Sequence, residues 1–113
     1  DNFAWQVIDA LGQGVAILDA DGRFEYVNPA YAQMVYRTPE EVVGLSPFDV
    51  THPDDHEILH QARQKCLSGE RSTYEIRLVR PDNVIVLVLI TGVPHWEVDR
   101  VVGIYAIITD LPE

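Results

Sequence analysis

Apolar positions along this chain recur at two different spacings, and the change from one to the other predicts the order of its elements. Phe3, Val7, Ile8 and Leu11 fall three and four residues apart, which predicts a short amphipathic helix over 2–11, stopped by Gly12 and Gly14. Two β-rich runs, 14–20 and 23–28, flank Ala20-Asp21-Gly22, where the Asp-Gly pair supplies the positive φ of a tight hairpin. Asn28-Pro29 opens a helix to about Tyr36: the Asn side chain accepts a first-turn N–H, and proline at the first helical position gives up no needed donor. Thr38-Pro39-Glu40-Glu41 reads as a capping box that starts a single turn closed by Gly44. His52-Pro53-Asp54-Asp55 starts a long helix to Ser68, its two carboxylates set against the positive end of the dipole, with Gly69 as the left-handed stop.

From Ser72 onward the spacing shortens to two, in strand-like runs at 72–80, 84–93 and 100–109. In the first, Tyr74, Ile76 and Leu78 share one face while Glu75 and Arg77 take the other, so one side is wet. The second, from Val84 to Ile90, is apolar on both faces, and both must be covered. A hairpin, a helical cluster with one long member and three antiparallel strands make an α+β domain. Its helices gather on one face of a five-stranded antiparallel sheet.

The chain of 113 residues has room for one core, and no linker or repeat divides it, so residues 1–113 read as a single domain. It begins at Asp1 rather than Met and stops just after a strand-like run, as a domain cut from a longer multidomain protein would. A net charge of −10 opposes binding to a phosphate backbone, which excludes nucleic acid and anionic membrane surfaces as direct partners. One cysteine, Cys66, excludes an internal disulfide and a multi-cysteine metal site, and fits a reducing, cytoplasmic compartment. No apolar run is long enough to span a bilayer; the domain reads as soluble, and a parent protein could still be membrane-anchored. There is no phosphate loop, nucleophile elbow or paired-histidine motif. Asp54 and Asp55 read as dipole complements rather than an acid pair, and the chain has no catalytic constellation.

Five segments in this order and spacing resemble the PAS family: Gly14 to Gly22, Tyr26-Val27-Asn28-Pro29-Ala30-Tyr31, Pro39 to Gly44, His52-Pro53-Asp54-Asp55, and Gly103 to Asp110. The resemblance implies a sheet with helices folded over one face and enclosing a pocket. It further implies sensing of a small ligand, cofactor or partner, coupled to a covalently linked output domain, with dimerisation through the outer sheet face and flanking helices. Two departures stand out. Pro47 occupies the place of the cysteine that the flavin-photosensing subgroup uses, and Pro112 stands where a threonine usually follows the C-terminal Asp110. Some oxygen-sensing members take a haem ligand from the long helix, near where His60 falls. Helical geometry opposes that reading, because Ile58, Leu59, Ala62 and Cys66 share one face and His60 points more than ~100° from its centre. His52 and His95 read as turn residues, without the spacing of a zinc site.

Strand alternation, taken with the family's inward register, predicts the pocket lining. Ala16 and Leu18, Ile76 and Leu78, Val88 and Ile90, and Ile104, Ala106 and Ile108 come from the strands. Met34, Val35, Phe48, Leu59 and Ala62 come from the helices, and hardly a polar group is among them. A void of ~200 Å³ left empty there would cost roughly 5 kcal/mol, so the expectation is a core closed by its own side chains or filled by a small apolar or aromatic ligand. On the outer face, Ile17, Leu87, Leu89, Tyr105 and Ile107 form an apolar patch. Either Phe3, Trp5, Val7 and Ile8 of the N-terminal helix cover it, or it is a homodimer surface. Sensing by a small ligand and ligand-free docking are thus the two functional classes the sequence supports.

Overall fold

The computed structural model describes residues 2–112. Helix α1 (Asn2–Ala10) leads into the hairpin of β1 (Gly14–Leu18) and β2 (Phe24–Val27). Helices α2 (Pro29–Met34) and α3 (Pro39–Val42), a 3-10 turn at Pro47–Val50 and another at Pro53–Asp55 then precede α4 (His56–Leu67). Strands β3 (Ser72–Val79), β4 (Ile85–Glu97) and β5 (Arg100–Asp110) complete the chain. All pairings are antiparallel, in the order β2-β1-β5-β4-β3. The predicted α+β architecture is the one observed.

Local chemistry explains the element boundaries. Gly22 takes φ 84° in the first hairpin, and Asn83 takes φ 66° in the turn between β3 and β4, a conformation that asparagine tolerates better than most side chains. Thr38 and Glu41 form the reciprocal capping box, Thr38 Oγ1 accepting from the Glu41 N–H and the Glu41 carboxylate accepting from the Thr38 N–H. Ser46 and Asp49 repeat it at the first 3-10 turn, an element that no hydrophobic periodicity announces.

Two expectations are corrected. The run predicted as one helix from Pro53 begins as a 3-10 turn, and Asp55 does more than face the helix dipole. Its carboxylate accepts from the Arg77 backbone N–H, Nε and Nη2 at 2.8, 3.0 and 2.8 Å, fastening this segment to the edge strand β3. Strand β4 runs four residues beyond its predicted end, so His95 is a strand residue rather than a turn residue, its ring 4.6 Å from that of Tyr105. Finally, the alternative in which α1 covers the outer face gets little support from its described side chains. Phe3 is 71% and Val7 41% exposed, and Ile8 is half-buried; the side chain of Trp5 lies outside the described residues.

The core lies between the inner sheet face and the segment from α2 to α4. Val35, Val42, Val50, Ile76, Leu78, Val88 and Ile108 are its largest fully buried apolar side chains. Asn28 joins its two halves. As N-cap of α2 it accepts from the Tyr31 N–H, and the same oxygen accepts from the Val15 N–H in β1.

Candidate functional site

Inward-facing side chains of the sheet meet those of α4 around a cavity of about 50 Å³. Strand alternation places Ala16 and Leu18 of β1, Ile76 and Leu78 of β3, and Ile104, Ala106 and Ile108 of β5 on its walls, with Ile90 between them on β4. Leu59 and Ala62, three residues apart on α4, close it from the helical side, and Phe48 of the 3-10 turn joins them.

Val88, Met34 and Val35 do not reach this lining. Val88 lies two positions along β4 from Ile90, opposite Ile76, and is fully buried in packed core rather than at the void. Val35 is likewise fully buried, and Met34 packs against the core at its margin. Tyr31, one turn earlier in α2, takes the place expected of them.

The walls carry more polar atoms than predicted. Tyr31, Thr51, Arg63, Cys66 and Tyr74 all line the chamber. Two of these were legible in the sequence: Tyr74 alternates with Ile76 and Leu78, and Cys66 shares the α4 face of Leu59 and Ala62. Tyr31 and Thr51 arrive through tertiary packing alone. The Thr51 hydroxyl donates to the Pro47 carbonyl at 2.7 Å. Arg63 sits partly exposed and donates from Nη2 to the Ala20 carbonyl at 3.3 Å, so its guanidinium spans from α4 to the first hairpin. Burial pushes the Cys66 thiol up, and it pushes the phenols of Tyr31 and Tyr74 well above their ordinary value, Tyr31 further so by its proximity to Tyr74. All three are neutral at physiological pH.

The cavity is a quarter of the void assumed from sequence. At ~24 cal/mol per Å³ an empty space of this size costs only about 1 kcal/mol, so stability alone does not demand an occupant. It is also far below the ~300 Å³ at which cofactor-sized pockets begin. His60 is exposed and off the lining. His56 is a clamp, its Nε2 within 3.1 Å of the Phe48 carbonyl and 3.0 Å of that of Thr51. His52 caps its own turn by accepting from the Asp54 N–H. Among the described residues no cluster of three His, Cys, Asp or Glu side chains could hold a metal ion.

On the opposite side of the sheet, Tyr26, Ile17, Tyr105 and Val93 stand in one cross-strand row. Leu87 and Tyr105 are 43% and 42% exposed, and Ile17, Leu89 and Ile107 half-buried. No helix among the described residues is long and apolar enough to cross a membrane.

An antiparallel sheet with helices over one face and a small, largely apolar chamber beneath them is the class of α+β domain to which this chain belongs. A family profile described as "PAS fold" matches residues 8–113, and the chain belongs to the PAS family. Among solved structures it is similar to the PAS domain of a protein from Colwellia psychrerythraea, at 19% identity over 97% of this chain and 95% of that one, with a TM-score of 0.84. It is also similar to a PAS domain from a two-component sensor histidine kinase, at 20% identity over 97% and 95% of the two chains, with a TM-score of 0.75. White collar 2 protein of Neurospora crassa is 35% identical over 54 residues, 48% of this chain; the match spans about a tenth of that protein's length (10%).

Proposed function

We propose that this PAS domain is a non-catalytic sensor within a longer signalling protein, binding a small apolar or aromatic molecule in the chamber and relaying its presence to a covalently linked output domain. One observation carries the reading: β5 lines the cavity with Ile104, Ala106 and Ile108 and is also the last strand of the sheet in chain order, running to Asp110. A molecule in the chamber presses on that strand directly. The backbone beyond it is held to the sheet by the Leu111 N–H donating to the Leu87 carbonyl at 3.0 Å, so a shift of β4 or β5 reaches Leu111. A benzene-sized occupant takes a cavity of about 150 Å³. An aromatic ligand therefore displaces side chains here, and that displacement is the signal.

The outer face supports a second role as a homodimer surface, with α1 alongside. Leu87 and Tyr105 are large side chains left exposed on that face of the sheet. The acidic balance of the chain argues against nucleic acid and anionic membrane as its partners, and the compartment proposed is the cytoplasm. Native mass spectrometry of the purified domain, with an absorption spectrum, tests for a bound molecule. If nothing co-purifies, no small apolar or aromatic compound shifts the melting temperature and light scattering gives a dimer, ligand sensing fails and docking replaces it.

A further inference from the structure

Two phenols stand in a chamber whose other walls are mostly aliphatic. Tyr31 is 3% exposed, yet its hydroxyl makes no hydrogen bond to any described residue. Among those residues no side-chain oxygen or nitrogen sealed from water is left without a partner, so water reaches this hydroxyl. Tyr31 is among the residues that line the chamber. Tyr74 reaches the same chamber from β3 and likewise bonds to no described residue through its hydroxyl. Two phenolic donors on the wall of one chamber, neither bonded to a described residue and neither sealed from water, fit an occupant that accepts hydrogen bonds. Both phenols stay protonated and can donate.

We propose that the chamber selects a small neutral molecule with an accepting oxygen, an alcohol or ketone of up to about four heavy atoms, its oxygen on Tyr31 and Tyr74 and its carbons against Ile76, Ile90 and Ile108. This rests on the ligand-sensing reading and alters its chemistry, from a purely apolar occupant to one with a polar end. The other polar groups do not compete. Thr51 is committed to Pro47, and Arg63 lies at the margin, bonded to Ala20. A carboxylate would have to shed its water among aliphatic walls with that one guanidinium beside it.

Four probes of equal heavy-atom count separate the possibilities: acetone, 2-propanol, acetate and isobutane, titrated against the isoleucine methyl signals of the domain by NMR. Acetone and 2-propanol are expected to shift Ile76, Ile90 and Ile108 saturably and to bind more tightly than isobutane. Tyr31→Phe and Tyr74→Phe each weaken acetone about fivefold, the worth of one hydrogen bond, and leave isobutane unchanged or tighter. Should either variant fail to fold, the wild-type ratio of acetone to isobutane affinity decides alone. Equal binding of acetone and isobutane, indifferent to the Tyr→Phe changes, overturns oxygen recognition while leaving an apolar ligand site standing. Acetate binding more tightly than acetone overturns it in favour of Arg63. If no probe moves the methyl signals, the ligand-sensing reading falls with it.

Discussion

Replacing Asn28 with alanine tests how one side chain couples a local cap to the tertiary fold. Asn28 is 1% exposed; its Oδ1 accepts from the Val15 and Tyr31 amides at 2.9 and 3.0 Å, and its Nδ2 donates to the Gln13 carbonyl at 3.0 Å. Alanine leaves two buried amides without an acceptor and one carbonyl without a donor. At about 1 kcal/mol or slightly more for each stranded group, the loss is about 3–4 kcal/mol, a large share of the ~5–15 kcal/mol that holds a domain together. With a urea slope of about 1.5 kcal/mol per M, the denaturation midpoint falls by roughly 2 M at unchanged slope. Thr38→Ala is the matched control, since it removes an N-cap of the same kind at an exposed position. It costs about 1 kcal/mol, and the midpoint moves by less than 1 M. Asn28→Asp keeps both accepted bonds but turns a carboxylate toward the Gln13 carbonyl, so its midpoint falls between wild type and alanine. Hydrogen exchange at the Val15 amide accelerates in the alanine variant. If Asn28→Ala shifts the midpoint no more than Thr38→Ala does, the long-range bonds contribute nothing beyond a cap and the reasoning is refuted.

The two faces of β4 make a second test. Ile90→Asp puts an unpaired carboxylate into the core and unfolds the domain, whereas Leu89→Asp, on the outer face opposite Glu75, leaves it folded at a cost of about 1 kcal/mol from the like-charge pair; circular dichroism of both, with equal collapse, would contradict the face assignment. The hydrogen bonds from Arg77 hold the Asp55 carboxyl below its ordinary 3.8, so the carboxylate's stabilising contribution is complete above that pH and is lost as pH falls through the lowered value. Wild type should therefore exceed Asp55→Asn in stability at neutral pH, the gap closing below pH 3.8; a gap independent of pH down to the acid transition would show that the ion pair is not its source. Cys66 is 2% exposed and its thiol is shifted up by burial, so a maleimide labels it slowly in native buffer and completely in urea, as mass spectrometry will read out; fast native labelling would mean the chamber is open to bulky reagents.

Local rules carried much of this protein's description. Hairpin, caps and stops follow from contacts within one turn of chain: Asp21-Gly22, Thr38 with Glu41, and Gly69 at φ 95° after α4. The inward register of Ile76 and Leu78, of Ile90, and of Ile104, Ala106 and Ile108 follows from the two-residue repeat of a strand, which any alternating sequence displays. What required the tertiary structure is every property that joins segments far apart. Asn28 was legible as a helix cap, but its bonds to Val15 and Gln13 reach across 13 and 15 residues. Asp55 reads as a dipole complement until β3 brings Arg77 within hydrogen-bonding distance. The volume of the chamber depends on how closely α4 settles onto the sheet, a sum over side chains from eight elements and turns, and no periodicity encodes such a sum. The meeting of Tyr31 and Tyr74 in that space belongs to the same class: each phenol has a predictable address on its own element, and only packing makes them neighbours.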